Sequence, residues 1–197
     1  MRGEARQRAE LVAVGAALER QGLVRGGEGN LSCRLEGGWV VLTPRGARKG
    51  RLAAAALLRV SLDEPLPSLA SSEAALHLEV YRRVPGAGAI VHAHPPAVLA
   101  LSLGWPDTPA PDVSLLPEGE AVLGPVGVIP ALAPGSRELA VAAAATLAST
   151  PVAVMLHHGA VATGQNPQQA LERLELLDLL ARLELVRRGR YPGTLSL

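Results

Sequence analysis

Two histidines two residues apart, His92 and His94, follow the apolar run Ala89-Ile90-Val91. Successive strand residues alternate faces, so these two imidazoles share a face and can reach one point. A convergent imidazole pair suits a borderline divalent ion such as zinc. A catalytic zinc takes three protein ligands and keeps one position open. His157 or His158, at the end of the apolar run Val152–Leu156, can supply the third if the two strands end together. Glu73 lies upstream in Ser71-Ser72-Glu73, where it can face the open position as acid or base. Ser71 and Ser72 offer hydroxyls at a predicted helix start, and two glycine-rich turns, Arg25–Asn30 and Thr43–Gly46, let backbone N–H groups approach a ligand. This set of residues fits a small phosphorylated substrate whose other end meets a cation.

The elements that must position these groups follow from periodicity. Residues 4–20 read as an amphipathic helix with Leu11, Val14 and Leu18 on one face and Gly22 as terminator. Leu31–Leu35 and Trp39–Thr43 read as a hairpin around Glu36-Gly37-Gly38. Arg51–Arg59 is expected to be a short helix and Val60–Leu62 a strand. A helix starting at Ser71-Ser72, with Glu73 in its first turn, should end at Val84-Pro85-Gly86. Pro95-Pro96 should open a helix to about Leu103, and residues 104–120 a loop. Ala121–Pro130 is strand-like. Ser136–Leu147 should be a capped helix, and Pro167–Arg188 the longest helix, striped by Leu171, Leu174, Leu177 and Leu180.

Composition narrows the setting. The chain has 197 residues, 48% of them apolar, with no Phe and a net charge of +1. One domain spanning residues 1–197 with an aliphatic core is expected, and neither nucleic acid nor an acidic membrane surface is implied. The single Cys33 fits a reducing compartment, and with no apolar leader or spanning run a cytoplasmic location is expected. A Schiff-base route needs a desolvated lysine. The only lysine, Lys49, stands in the charged turn Arg48-Lys49-Gly50, which argues against that route.

Five short segments, Gly29-Asn30-Leu31-Ser32, Thr43-Pro44-Arg45-Gly46, Ser71-Ser72-Glu73, Val91-His92-Ala93-His94 and His157-His158-Gly159, occur in the order and spacing of a known family. In these the sequence resembles the class II aldolase/adducin family, nearest its L-fuculose 1-phosphate-cleaving branch. The resemblance implies an α/β fold with a central, mainly antiparallel sheet flanked by helices. It implies His92, His94 and His158 as ligands of a divalent metal, usually Zn2+, and Glu73 as the catalytic acid/base. It implies Gly29, Asn30, Arg45, Gly46, Ser71 and Ser72 as holders of the substrate phosphate, and a homotetramer with active sites at subunit interfaces.

The implied reaction is cleavage of a ketose 1-phosphate, L-fuculose 1-phosphate or an analogue, to dihydroxyacetone phosphate and an aldehyde. A pentulose-phosphate 4-epimerase or a thiosugar-phosphate dehydratase of the same family is the alternative. A non-catalytic adducin-like scaffold is a third reading, disfavoured because adducin-type domains lack the metal histidines. The chain departs from the family's pattern at Glu28 and Arg45, where hydroxyl residues are usual. No tyrosine stands near Val113 and Ser114, where the aldolases carry one that assists cleavage, and Tyr191 is the candidate to substitute for the family's C-terminal tyrosine.

Overall fold

The structure, a computed structural model, describes residues 2–190. Seven strands form one sheet: β1 (Asn30–Arg34), β2 (Trp39–Leu42), β3 (Leu58–Ser61), β4 (Ala89–Ala93), β5 (Val126–Ile129), β6 (Val152–Met155) and β7 (Gly159–Gly164). Their order is β3-β2-β1-β4-β7-β6-β5. Every pairing is antiparallel except β5 with β6. Helices α1 (Arg2–Arg20), α3 (Pro96–Gly104) and α5 (Pro167–Arg187) cover one face; α2 (Ala74–Arg83) and α4 (Arg137–Leu147) cover the other. The expected α/β architecture, a mainly antiparallel sheet between helices, is what the chain adopts.

Side-chain alternation divides the interior into two aliphatic cores. On β4, Ala89, Val91 and Ala93 pack toward α1, α3 and α5, while Ile90 packs toward α2 and α4. His92 therefore stands on the α2 side, as do Asn30 and Ser32 on β1, whose neighbours Leu31 and Cys33 pack the opposite way. Asn30, Ser32 and His92 thus make a buried polar patch on the α2 side of the sheet, beside the aliphatic core around Ile90.

Helix ends follow local chemistry. Ser136 Oγ accepts from Leu139 N–H (3.1 Å), and Asn166 Oδ1 accepts from Gln169 N–H (2.9 Å), each capping a helix. Gly22, at φ 72°, closes α1 in the left-handed conformation.

Four expectations need correction. Arg51–Arg59 is not a helix. Short 3-10 turns at Lys49–Arg51 and Ala54–Ala56 flank extended residues, and β3 begins at Leu58. Only Leu52 and Leu57 are buried there, a spacing that gives a helix no continuous apolar face. Helix α2 starts at Ala74, so Glu73 is its boundary residue and not part of its first turn. The first half of the expected strand at Ala121–Pro130 is a π-helical turn, Gly119–Leu123, and the loop before it carries a 3-10 turn at Val113–Leu115. Finally β7, Gly-Ala-Val-Ala-Thr-Gly, is a strand that periodicity missed: small residues of low β-propensity hide it. It is buried throughout, between β4 and β6.

Candidate active site

His92 is the penultimate residue of β4, and His94 follows that strand's end. His158 lies in the tight turn between β6 and β7, where His158 N–H donates to Met155 C=O (3.0 Å) and His157 takes φ 60°. Because β7 pairs with β4, with His92 opposite Val161, the turn returns His158 beside the other two. The ring centroids of the three histidines lie 4.9–5.2 Å apart. One ligand nitrogen from each falls within 4.8 Å of the others. His157, the other member of the pair, is exposed, its N–H directed to Ser102 Oγ (3.3 Å).

Two glycines make this approach possible. Gly159, at φ 154°, passes so near β4 that a Cβ would lie 2.3 Å from Ala93 O. Gly29, at φ 67°, brings the first glycine turn against the same strand; a Cβ there would lie 2.5 Å from His92 O.

Glu73 completes the cluster. Its Oε2 is 3.1 Å from His92 Nε2, and its Oε1 is 3.5 Å from His158 Nε2. Asn30 Nδ2 donates to Oε2 (3.0 Å). Asn30 Oδ1 accepts from His77 Nε2 (2.5 Å), Ser32 Oγ lies 2.6 Å from His77 Nδ1, and Tyr81 Oη lies 2.8 Å from Ser32 Oγ. Glu73, His92, Asn30, His77, Ser32 and Tyr81 are all buried.

The donor set fits a cation. His92 Nδ1–H donates to Ala160 C=O (2.9 Å), which turns Nε2 toward the site. Nε2 faces His94 Nε2 at 3.0 Å and the Glu73 carboxylate. Tetrahedral zinc with Zn–N bonds of about 2.0–2.1 Å holds its nitrogens roughly 3.3 Å apart. Glu73 Oε1 and His158 Nδ1 are buried without a hydrogen-bond partner among the described residues, so the carboxylate has an oxygen to spare.

Charge balance agrees. Burial, followed by the neighbouring His92 and His158, pushes His94 down to about 3. Burial and His92 likewise lower His158. Neutral imidazole is the form that ligates. Burial alone would raise the Glu73 carboxyl, but His92, Asn30 and His158 outweigh it and hold the group below the usual range.

His77 is buried and stands outside the cluster of His92, His94 and His158. Burial, with a smaller push from His92, takes it down to about 3 from 6.5. The unfolded chain therefore binds a proton below about pH 6.5 that the folded protein refuses, so acid favours unfolding. Between pH 6.5 and pH 4, this one group should weaken the fold by at most about 1.4 kcal/mol per pH unit. Denaturant midpoints across that range should fall more steeply for the parent than for His77→Gln; equal slopes would refute the assignment.

A cleft of about 160 Å³ opens beside the cluster, lined by Gly27, Glu28, Gly29, Asn30, Pro44, Gly46, Ser71, Ser72, Glu73, His94, Pro134 and His158. Of the predicted phosphate holders, Gly29, Asn30, Gly46, Ser71 and Ser72 line it. Arg45 does not: its side chain is exposed, and its N–H donates to Leu69 C=O (2.8 Å). Ser71 Oγ accepts from Glu73 N–H (3.3 Å), while Ser72 is exposed. Asn30 uses its oxygen and one amide hydrogen on His77 and Glu73, which leaves one amide hydrogen for a ligand. Glu28 brings a carboxylate to the rim, with Oε2 4.0 Å from His94 Nδ1 and accepting from Arg25 N–H (2.8 Å).

Lys49 also departs from expectation. Its side chain is buried, not solvated, and Nζ donates to the carbonyls of Gly27 (3.0 Å) and Ala47 (2.5 Å). Burial takes the amine down to about 8, against a smaller opposite effect of Glu28. It ties the two glycine turns together from behind and does not line the cleft. Tyr191 lies outside the described residues.

Sequence reasoning missed the buried partners of Glu73. The signal was present: Asn30 and Ser32 are two apart on a strand, and Glu73, His77 and Tyr81 recur every four residues at and along α2.

The chain belongs to the class II aldolase and adducin family: residues 9–185 match the Class II Aldolase and Adducin N-terminal domain. The family is divalent-metal dependent, and the histidine cluster is a possible site for such an ion. The chain is 36% identical to a methylthioribulose-1-phosphate dehydratase from Acidiphilium cryptum, over 91% of this chain and 90% of that one. It is 35% identical to a 3-oxo-tetronate 4-phosphate decarboxylase from Pectobacterium atrosepticum, over 95% and 89%. Among solved structures it superimposes on an L-fuculose-1-phosphate aldolase from Thermus thermophilus with a TM-score of 0.85 and 34% identity, covering 96% of this chain and all of that one. These relatives share the family and its sugar-phosphate enzymes but carry three different activities, so the likeness is to the branch of dehydratases and decarboxylases as well as to the fuculose enzyme.

Proposed function

We propose that the chain is a metal-dependent lyase acting on a small phosphorylated ketose or keto acid. His92, His94 and His158 hold the cation, zinc first among candidates, and Glu73 carries the proton. The observation that supports this most is the convergence of three imidazole nitrogens within 4.8 Å on the side of the cleft where Glu73 stands.

Gly29, Gly46, Ser71 and Ser72 receive the phosphate at the mouth of the cleft through backbone N–H groups and hydroxyls. The substrate's ketone then points inward, toward the histidines. The cation, when bound, supplies Lewis-acid stabilisation of the negative charge that develops on the carbonyl oxygen. Glu73 acts at the adjacent carbon: it removes a proton there when an enediolate must form, or returns one when it collapses. The buried walls around Glu73 keep bulk water from competing for that proton.

The leaving group distinguishes the readings. Dehydration or decarboxylation is favoured by the two relatives at 36% and 35% identity, and by Val113 and Ser114 at the place of the aldolases' tyrosine. Loss of carbon dioxide from a 3-keto acid leaves the enediolate without any acid on the departing fragment. Aldol cleavage is the second reading, carried by the match to the Thermus enzyme. It needs a proton donor for the departing aldehyde oxygen.

The zinc-loaded protein should be offered methylthioribulose 1-phosphate, 3-oxo-tetronate 4-phosphate and L-fuculose 1-phosphate, with detection of diketone, carbon dioxide and aldehyde respectively. Turnover of one of the first two supports the first reading. Aldehyde release alone supports the second, and inertness toward all three argues against a ketose-phosphate lyase. A cytoplasmic homotetramer with active sites between subunits belongs to the same reading, supported by Leu69, 68% exposed two residues before Ser71. Sedimentation would test the assembly.

A further inference from the structure

The side chains behind Glu73 form one continuous line of hydrogen bonds, and the direction of each follows from chemistry. A carboxylate only accepts, so the Asn30 amide must present Nδ2 to Glu73 Oε2. Its Oδ1 then faces His77 Nε2, which must carry the hydrogen. A neutral imidazole has one N–H, so His77 Nδ1 is bare and must receive Ser32 O–H. Ser32 Oγ in turn receives Tyr81 O–H. Five groups from two elements, β1 and the α2 segment, are thus aligned from the phenol to the carboxylate, with none of their side chains more than 5% exposed.

Reversing the line is self-consistent everywhere but at its end. If Tyr81 accepted from Ser32, His77 would carry its hydrogen on Nδ1 and the Asn30 amide would turn round. Asn30 Oδ1 would then oppose the Glu73 carboxylate, acceptor against acceptor. Because all five side chains are buried, that conflict has no cheap relief.

We propose that His77 is a positioning residue for Glu73: through the tautomer it adopts, it fixes which way round the Asn30 amide stands, and so keeps the carboxylate turned toward His92 and His158. The consequence for turnover rests on the reading of Glu73 as the proton carrier; the order of the hydrogen bonds does not.

The first test uses the intact protein labelled with 15N-histidine. Long-range 1H–15N spectra near neutral pH should give His77 as a neutral ring protonated on Nε2 alone, with zinc or without it. A ring protonated on Nδ1 would overturn the proposal. The second test compares His77→Leu with His77→Gln on the substrate turned over. His77→Leu should lower kcat about 10–100-fold, the cost usual for losing a partner one step removed from the reacting group. KM should stay within about two-fold, and zinc content should equal the parent's. His77→Gln can offer its amide N–H where Nε2 stands, and should recover most of the loss.

Unchanged kcat in His77→Leu, or equal impairment of both variants at full zinc content, would refute the positioning role. If His77→Leu does not fold, the spectrum and His77→Gln still decide, because a Gln variant that folds with zinc but loses the whole of kcat counts against the proposal. A correct tautomer together with a fully active Glu73→Gln variant counts against the reading of Glu73 and leaves the hydrogen-bond order standing.

Discussion

Glu73→Gln should fold, bind metal as the parent does, and lose about 10²–10⁴ of kcat, the range that general acid–base catalysis contributes. The substitution keeps the shape of the side chain. Its carbonyl can still accept from Asn30 Nδ2, which now meets Glu73 Oε2 at 3.0 Å. What it removes is a group able to take a proton and return it. Glu73 Oε1 is buried and without a hydrogen-bond partner among the described residues, and this is the oxygen that would do so. Zinc content should be unchanged because the three imidazoles remain, and solvent deuterium should no longer enter the product at the parent's rate. A Gln variant that turns over as fast as the parent would remove Glu73 from the chemistry.

The second large effect is on the metal. His92→Ala should weaken zinc binding well beyond the 10–100-fold that follows loss of an outer partner, since it deletes a ligand and not its support. Of the three, His92 is the most constrained, fully buried with Nδ1 committed to Ala160 C=O. The purified variant should carry little zinc and little activity, and excess zinc should restore neither fully. His157→Asn is the control: His157 is exposed, its φ of 60° suits asparagine, and metal content should not change. Chelation of the parent should abolish turnover, and added zinc should restore it. If His92→Ala retains one zinc per chain at the parent's affinity, the ligand assignment fails.

Much of this was legible in the sequence, for reasons particular to each element. His92 and His94 were readable because a strand brings every second residue to one face. Helix α5 was readable because its leucines recur at helical spacing, with Asn166 and Pro167 marking its start. β7 was not: four of its six residues are Gly or Ala, and its place is fixed by burial between two neighbours instead of by its own preference. The failed helix at 51–59 is the opposite case, where alanine favours a helix locally but no stripe exists to bury. The bond from Asn30 to Glu73 was not legible because the sequence does not say that the two lie opposite each other, 43 positions apart. The family resemblance groups Arg45 with its neighbours as a phosphate holder, yet its side chain is exposed and outside the lining of the cleft.

Lys49 illustrates how much a single placement can matter. In a chain with one lysine, its enclosure leaves the folded surface without a reactive side-chain amine. Among the described residues the exposed Arg side chains carry guanidinium groups, which do not acylate under mild conditions. Reagents aimed at lysine would therefore reach Lys49 Nζ only after the Gly27 and Ala47 carbonyls let go, so the extent of tagging at that one atom counts opened molecules.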